Sequence, residues 1–128
     1  MTRKKSTHTL VAAMVFGLAL GATTYGSDAL LHTNHFTFNQ AVAVPGAVLS
    51  PGSYVFERVV GTEPDVIVVR SRDRSQVYYM GFTERVERPR HLARGSAVTL
   101  GEARPGVPLP ITAWYPLDSS RGHRFIYR

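Results

Sequence analysis

The densest set of groups able to do chemistry lies between Glu84 and Arg94. The segment reads Glu-Arg-Val-Glu-Arg-Pro-Arg-His-Leu-Ala-Arg and carries Arg85, Arg88, Arg90 and Arg94 with two glutamates and His91. Guanidinium groups grip phosphate, sulfate or carboxylate through paired hydrogen bonds, so such a run can hold an anion. Its own glutamates balance part of that charge, and blocks of mixed sign are usually solvated, which makes a polar loop the plainer expectation. A second constellation is aromatic: Trp114, Tyr115, Phe125 and Tyr127 stand near the C-terminal end, with Arg121 and His123 among them. Such rings can stack on a sugar while Arg121 or His123 supplies a hydrogen bond. The two-residue alternation of Phe125 and Tyr127 points both inward instead, where a small domain needs aromatic area.

His32 and His35 have the spacing of a metal pair on a helix, but beside a strand a three-residue offset sends side chains to opposite faces. No third ligand is indicated, since His91 and His123 are remote in sequence, and no metal site is expected. Carboxylates are available at Asp65, Asp73, Glu84, Glu87, Glu102 and Asp118. None lies in a nucleophile elbow, a His-Glu-x-x-His segment or a phosphate loop. No catalytic residue and no cofactor is assigned on this basis; Glu102 with His123 is the pair that a test of catalysis would take first. Nucleic-acid binding is not expected either, for want of a recognisable motif.

The elements that must position these groups read as strands. Pro45-Gly46 and Pro51-Gly52 mark two corners: proline presets φ for the second position of a turn, and glycine accepts the positive φ of the third position in type II. Between them lies the apolar piece Ala47-Val48-Leu49, and after them Tyr54 and Phe56 alternate with Val55 and Glu57 at the two-residue period of a strand. Further strands are predicted at Phe36–Phe38 with an extension through Val42 and Val44, at Ser53–Val60, Asp65–Arg70, Gln76–Thr83, Ala97–Glu102, Ile111–Tyr115 and His123–Tyr127. Val66-Ile67-Val68-Val69 is β-branched and apolar on both faces, the pattern of a doubly covered strand. Residues 65–83 form one hairpin in this reading, and Arg104–Pro110, rich in proline, a loop or polyproline-like edge. The expectation is an all-β domain: a small antiparallel β-sandwich or partly open barrel of six to seven short strands, preceded by an N-terminal signal helix.

Residues 1–29 look like an export leader. Met1-Thr2-Arg3-Lys4-Lys5 is basic, and Leu10–Ala22 is uncharged over thirteen residues. That suits a secretory signal and falls short of the roughly 20 residues of a membrane-spanning helix. Small residues permit cleavage after Gly26 or after Ala29. The remaining domain, residues 30–128, then carries twelve arginines against eight acids, a net charge of +4. The sequence contains no cysteine, so in an exported chain neither disulfides nor thiolate–metal bonds hold the fold.

One resemblance covers about residues 36–127. The chain has Phe38, Val42, Pro45-Gly46, Leu49, Gly52, Tyr54 and Phe56 in register, then Pro108-x-Pro110-Ile111-x-Ala113-Trp114-Tyr115-Pro116 and Gly122-His123-x-Phe125-x-Tyr127. In this it resembles a family of small, exported, functionally uncharacterised bacterial proteins. It departs from them in turns: Ser50 precedes Pro51-Gly52, Arg74 replaces the glycine of an Asp-Gly turn, and Arg128 replaces a terminal proline. The resemblance implies location and fold but no activity. Together these readings point to a non-enzymatic binding or structural module of the periplasm or envelope, with an envelope protein or glycan as partner and no membrane span after cleavage. A small envelope-directed hydrolase is the alternative.

Overall fold

The computed structural model describes residues 33–128, together with the backbone of Ala13–Val15. The predicted leader, its helix, its cleavage sites and His32 otherwise lie outside the described residues. The strands, in chain order, are β1 (Ala13–Val15), β2 (Thr33–Phe38), β3 (Val42–Val44), β4 (Ala47–Leu49), β5 (Gly52–Val59), β6 (Val66–Ser71), β7 (Val77–Glu87), β8 (Ala97–Leu100), β9 (Leu109–Tyr115) and β10 (Arg121–Phe125). The described residues contain no helix, as an all-β reading requires. Nine strands lie between Thr33 and Phe125 where six to seven were expected.

They form one open sheet in the order β1-β8-β9-β10-β7-β6-β5-β2, which does not close on itself. The long strand β7 belongs to both halves. Its residues up to Phe82 pair with β6, and Thr83 to Glu87 pair with β10. Packing between the halves makes the core. Phe56 lies 5.9 Å from Trp114 and 6.4 Å from Phe125 by ring centroids, and 5.1 Å edge-on from Phe36. Aromatic pairs at such separations prefer these tilted arrangements. Val68 and the pair Ile67 and Val69 are all buried, as a doubly covered β6 demands.

The Pro45-Gly46 corner joins β3 to β4 as a two-residue hairpin, with Gly46 at φ +81°. Ala47–Leu49, expected only as an apolar link, is thus a strand. Gly52 does not take the third position of a type II turn: its φ is +154°, and it opens β5 opposite Phe38. The hairpin of β6 and β7 is as read, and its turn places Arg74 at φ +67°, the left-handed region that glycine enters freely. A non-glycine residue there costs roughly 1–2 kcal/mol; Arg74 bonds Glu57 on the neighbouring strand β5 at 2.7 Å.

Three further expectations are corrected. Glu84–Glu87 belongs to β7 and not to a loop, because its backbone pairs with β10; only the segment after it leaves the sheet. Leu109 and Pro110 open β9 and run parallel to β3 at Val42 and Ala43, the one parallel pairing among the described strands. Proline fits there because its carbonyl, accepting from the Gly101 N–H at 2.8 Å, is the group this position uses. Tyr127 follows β10 half-exposed, its hydroxyl donating to the carbonyls of Ile111 and Ala43, so it does not enter the core beside Phe125.

Candidate functional site

Alternation along the strands brings four charged or titratable residues to one end of the core. On β5, Tyr54 and Phe56 face the core and Arg58 is next on that face, where the sheet runs out towards solvent. On β10, Phe125, His123 and Arg121 share a face in the same way. His123 stands directly between Trp114 on β9 and Arg85 on β7. Its ring lies 5.4 Å from that of Trp114. Asp65 completes the group. It precedes β6, after the cis Glu63–Pro64 bond, and its carbonyl accepts from the Thr83 N–H at 3.1 Å.

Asp65 is 5% exposed and is the hub. Its Oδ2 accepts from Arg85 Nη2 at 3.1 Å and Nε at 3.3 Å, and faces His123 Nδ1 at 3.5 Å. Its Oδ1 lies 3.7 Å from Arg58 Nη1. A buried carboxylate needs such partners, since an unpaired one would be strongly disfavoured. Burial lowers the His123 pKa to about 4; Asp65 opposes the shift, while Arg58 and Arg85 add to it. The imidazole is therefore neutral at pH 7. Its Nδ1 is buried and has no hydrogen bond, as does the Thr83 hydroxyl.

Together with the loop from Pro116 to Arg121, these side chains line a cleft of about 440 Å³. That lies within the usual range of small-ligand sites, roughly 300–1,000 Å³. The loop is held by Arg88. Its guanidinium donates to the carbonyls of Pro116 and Ser119 at 3.1 Å each, and also to those of Ala93 and Gly95. Asp118 sits in this loop at φ +57°, a conformation aspartate tolerates better than most residues.

Comparison with protein-family models, curated proteins and solved structures finds no match. The site is therefore read from its own residues.

Of the arginine run, Arg85 alone lines the cleft. Arg88 is spent on backbone carbonyls and lies over the Tyr115 ring at 5.8 Å. Arg90 and Arg94 are exposed on the segment after β7 and do not line the cleft. The aromatic platform is not present as imagined: Trp114 is fully buried and Tyr115 6% exposed, because both pack in the core instead of facing solvent. Arg121 and His123 do come together in the cleft. Glu102 is exposed beyond β8 and does not line it; the carboxylate beside His123 is Asp65. His35 is exposed on β2, its pKa lowered by partial burial and by Arg74 and Arg72. Pro45 and Gly46 serve as a turn, and Pro51 and Gly52 as the entry to β5. Asp65 and Arg58 were missed as site residues, since nothing near either in the sequence marks it. Only the topology joins them to His123.

Proposed function

We propose that this is an exported binding module, made with a cleavable leader over residues 1–29, whose cleft holds an anionic group of an envelope glycan. The observation that carries the reading is the set of guanidinium groups of Arg58, Arg85 and Arg121 around one concave site. Guanidinium pairs carboxylate, phosphate and sulfate alike. A concave site of this size suits a single sugar-sized group better than a flat protein surface. The open sheet, folded over at β7, serves as a sandwich-like scaffold for it, in keeping with the small exported bacterial family the motifs resemble. Calorimetric titration with inorganic phosphate, sulfate and a uronic acid tests this. At least one should bind and weaken at Arg121→Gln, and heat changes indistinguishable from buffer for all three would overturn it.

The Asp65–His123 contact also supports a second reading, a small hydrolase for envelope material. A carboxylate behind a neutral imidazole is how a general base is oriented. The buried Nδ1 of His123, however, makes no hydrogen bond, whereas an orienting carboxylate accepts one from the imidazole of a general base. Ester or glycoside turnover that disappears in both Asp65→Asn and His123→Gln would favour this reading over simple binding.

A further inference from the structure

We propose that the ligand of the cleft is a hydroxyl-bearing monoanion of the uronic-acid class, its carboxylate on Arg121 and a hydroxyl on Asp118. The inference rests on the anion-binding reading above and narrows it by charge and by hydrogen-bonding capacity.

The cleft is lined by three guanidinium groups, those of Arg58, Arg85 and Arg121, against two carboxylates, Asp65 and Asp118. His123 adds no charge at neutral pH. One positive charge is left over. A monocarboxylate brings the site to neutrality, whereas a phosphate monoester at roughly −1.5 to −2 overshoots it beside two carboxylates. The count is of the lining residues: Glu63, 3.9 Å from Arg85 and 80% exposed, and Glu87, opposite Arg121 in the β7–β10 register, lie outside the lining.

The geometry assigns that charge to one residue. Arg58 and Arg85 are both turned on Asp65. Arg121 uses its backbone N–H and carbonyl on the Ser119 hydroxyl, and its guanidinium has no hydrogen bond or ion pair among the described residues. A planar fork in this position suits a carboxylate held by two parallel bonds. Asp118 sets the second requirement. Its side chain is exposed in the lining and, when ionised, can only accept hydrogen bonds, so a ligand seated against it must bring donors. Sugar hydroxyls are such donors. Sulfate has none, and neither does an ionised simple fatty acid, whose carboxylate only accepts.

The test uses the full chain expressed with its own leader. Trp114 is the single tryptophan and its ring stands beside His123, so its fluorescence reports on the cleft, with calorimetry as a second readout. Glucuronate, glucose, inorganic phosphate and sulfate are titrated at pH 7. Glucuronate should bind at least ten-fold tighter than each of the other three, and Arg121→Gln should weaken it at least ten-fold. Asp118→Asn should shift preference from glucuronate towards phosphate, because it removes a negative charge and replaces one of two acceptor oxygens with a donor NH2. Phosphate or sulfate binding as tightly as glucuronate would overturn the uronate assignment while leaving the anion-binding reading standing. Glucose binding as tightly as glucuronate would overturn the role given to Arg121. No response to any anion by either readout would overturn both readings.

Discussion

The indole N–H of Trp114 donates to Asn34 Oδ1 at 2.9 Å, and the same oxygen accepts from the Leu117 N–H at 3.3 Å. Asn34 therefore ties β2, at one end of the sheet, to β9 and to the loop that walls the cleft. Both Asn34 and Trp114 are buried, so the indole N–H cannot turn to water instead. Asn34→Ala should cost about 2–3 kcal/mol, the scale of a buried polar group left without its partner. Urea unfolding followed by Trp114 fluorescence measures it, and an unchanged midpoint would show that the bond is not formed in solution.

Arg88 is the corresponding clamp on the other side of that loop. Its guanidinium reaches four carbonyls on two segments, which the Asp118 N–H also joins by donating to the Arg94 carbonyl at 2.9 Å. Arg88→Lys keeps the charge but loses the planar fork that reaches several acceptors at once. We expect it to destabilise by about 1–3 kcal/mol, on the scale of charged hydrogen bonds lost. Amide exchange in residues 93–95 and 117–120 should quicken well before that in β5 or β6. Uniform quickening across the sheet would argue against a local clamp.

The fold was more legible than the site, and for a physical reason. Alternation of Tyr54 and Phe56, the β-branched run in β6 and the Pro45-Gly46 corner are local signals, each complete within a few residues. The second half of β7 was hidden because Glu84–Glu87 presents mostly polar side chains, and its membership in the sheet comes from pairing with β10, which no local pattern records. The arginine run misled for a related reason. Arg85 and Arg88 are close in sequence, yet one faces a buried carboxylate and the other faces carbonyls. His123 was legible as a candidate, but its partner Asp65 comes from the far side of the β6–β7–β10 arrangement.

Two glycines should fail for opposite reasons. A Cβ on Gly122 would stand 2.3 Å from Tyr115 Cδ1 and 2.8 Å from the Trp114 carbonyl oxygen, inside the core where neither can withdraw. Gly122→Ala should cost on the order of 3 kcal/mol, at the upper end for overpacking, and should displace His123 beside it. A Cβ on Gly46 meets nothing within 4 Å, but the backbone is at φ +81°. Gly46→Ala should therefore cost only about 1–2 kcal/mol, from conformation alone. Thermal melts that reverse this order would sink the packing argument at Gly122.

The last prediction follows from His123. Its folded pKa of about 4 lies below its ordinary value of 6.5, so the unfolded chain takes up the proton first as pH falls. The sign is then fixed: stability is fully present above about pH 6.5 and is lost progressively as pH drops towards 4. Since one pKa unit corresponds to about 1.4 kcal/mol, the loss from this group is roughly 2–3 kcal/mol over that window. Asp73 cannot mimic it, because hydrogen bonds from Ser75 and Ser71 hold its pKa to about 2, and its contribution disappears only at lower pH. Urea melts between pH 7 and 4.5 should show the parent weakening while His123→Gln stays flatter, its neutral amide having no proton to gain. Equal slopes for the two proteins would mean that the imidazole is solvated in the native state, and that the cleft reaches deeper towards Trp114 than the packing around Asp65 permits.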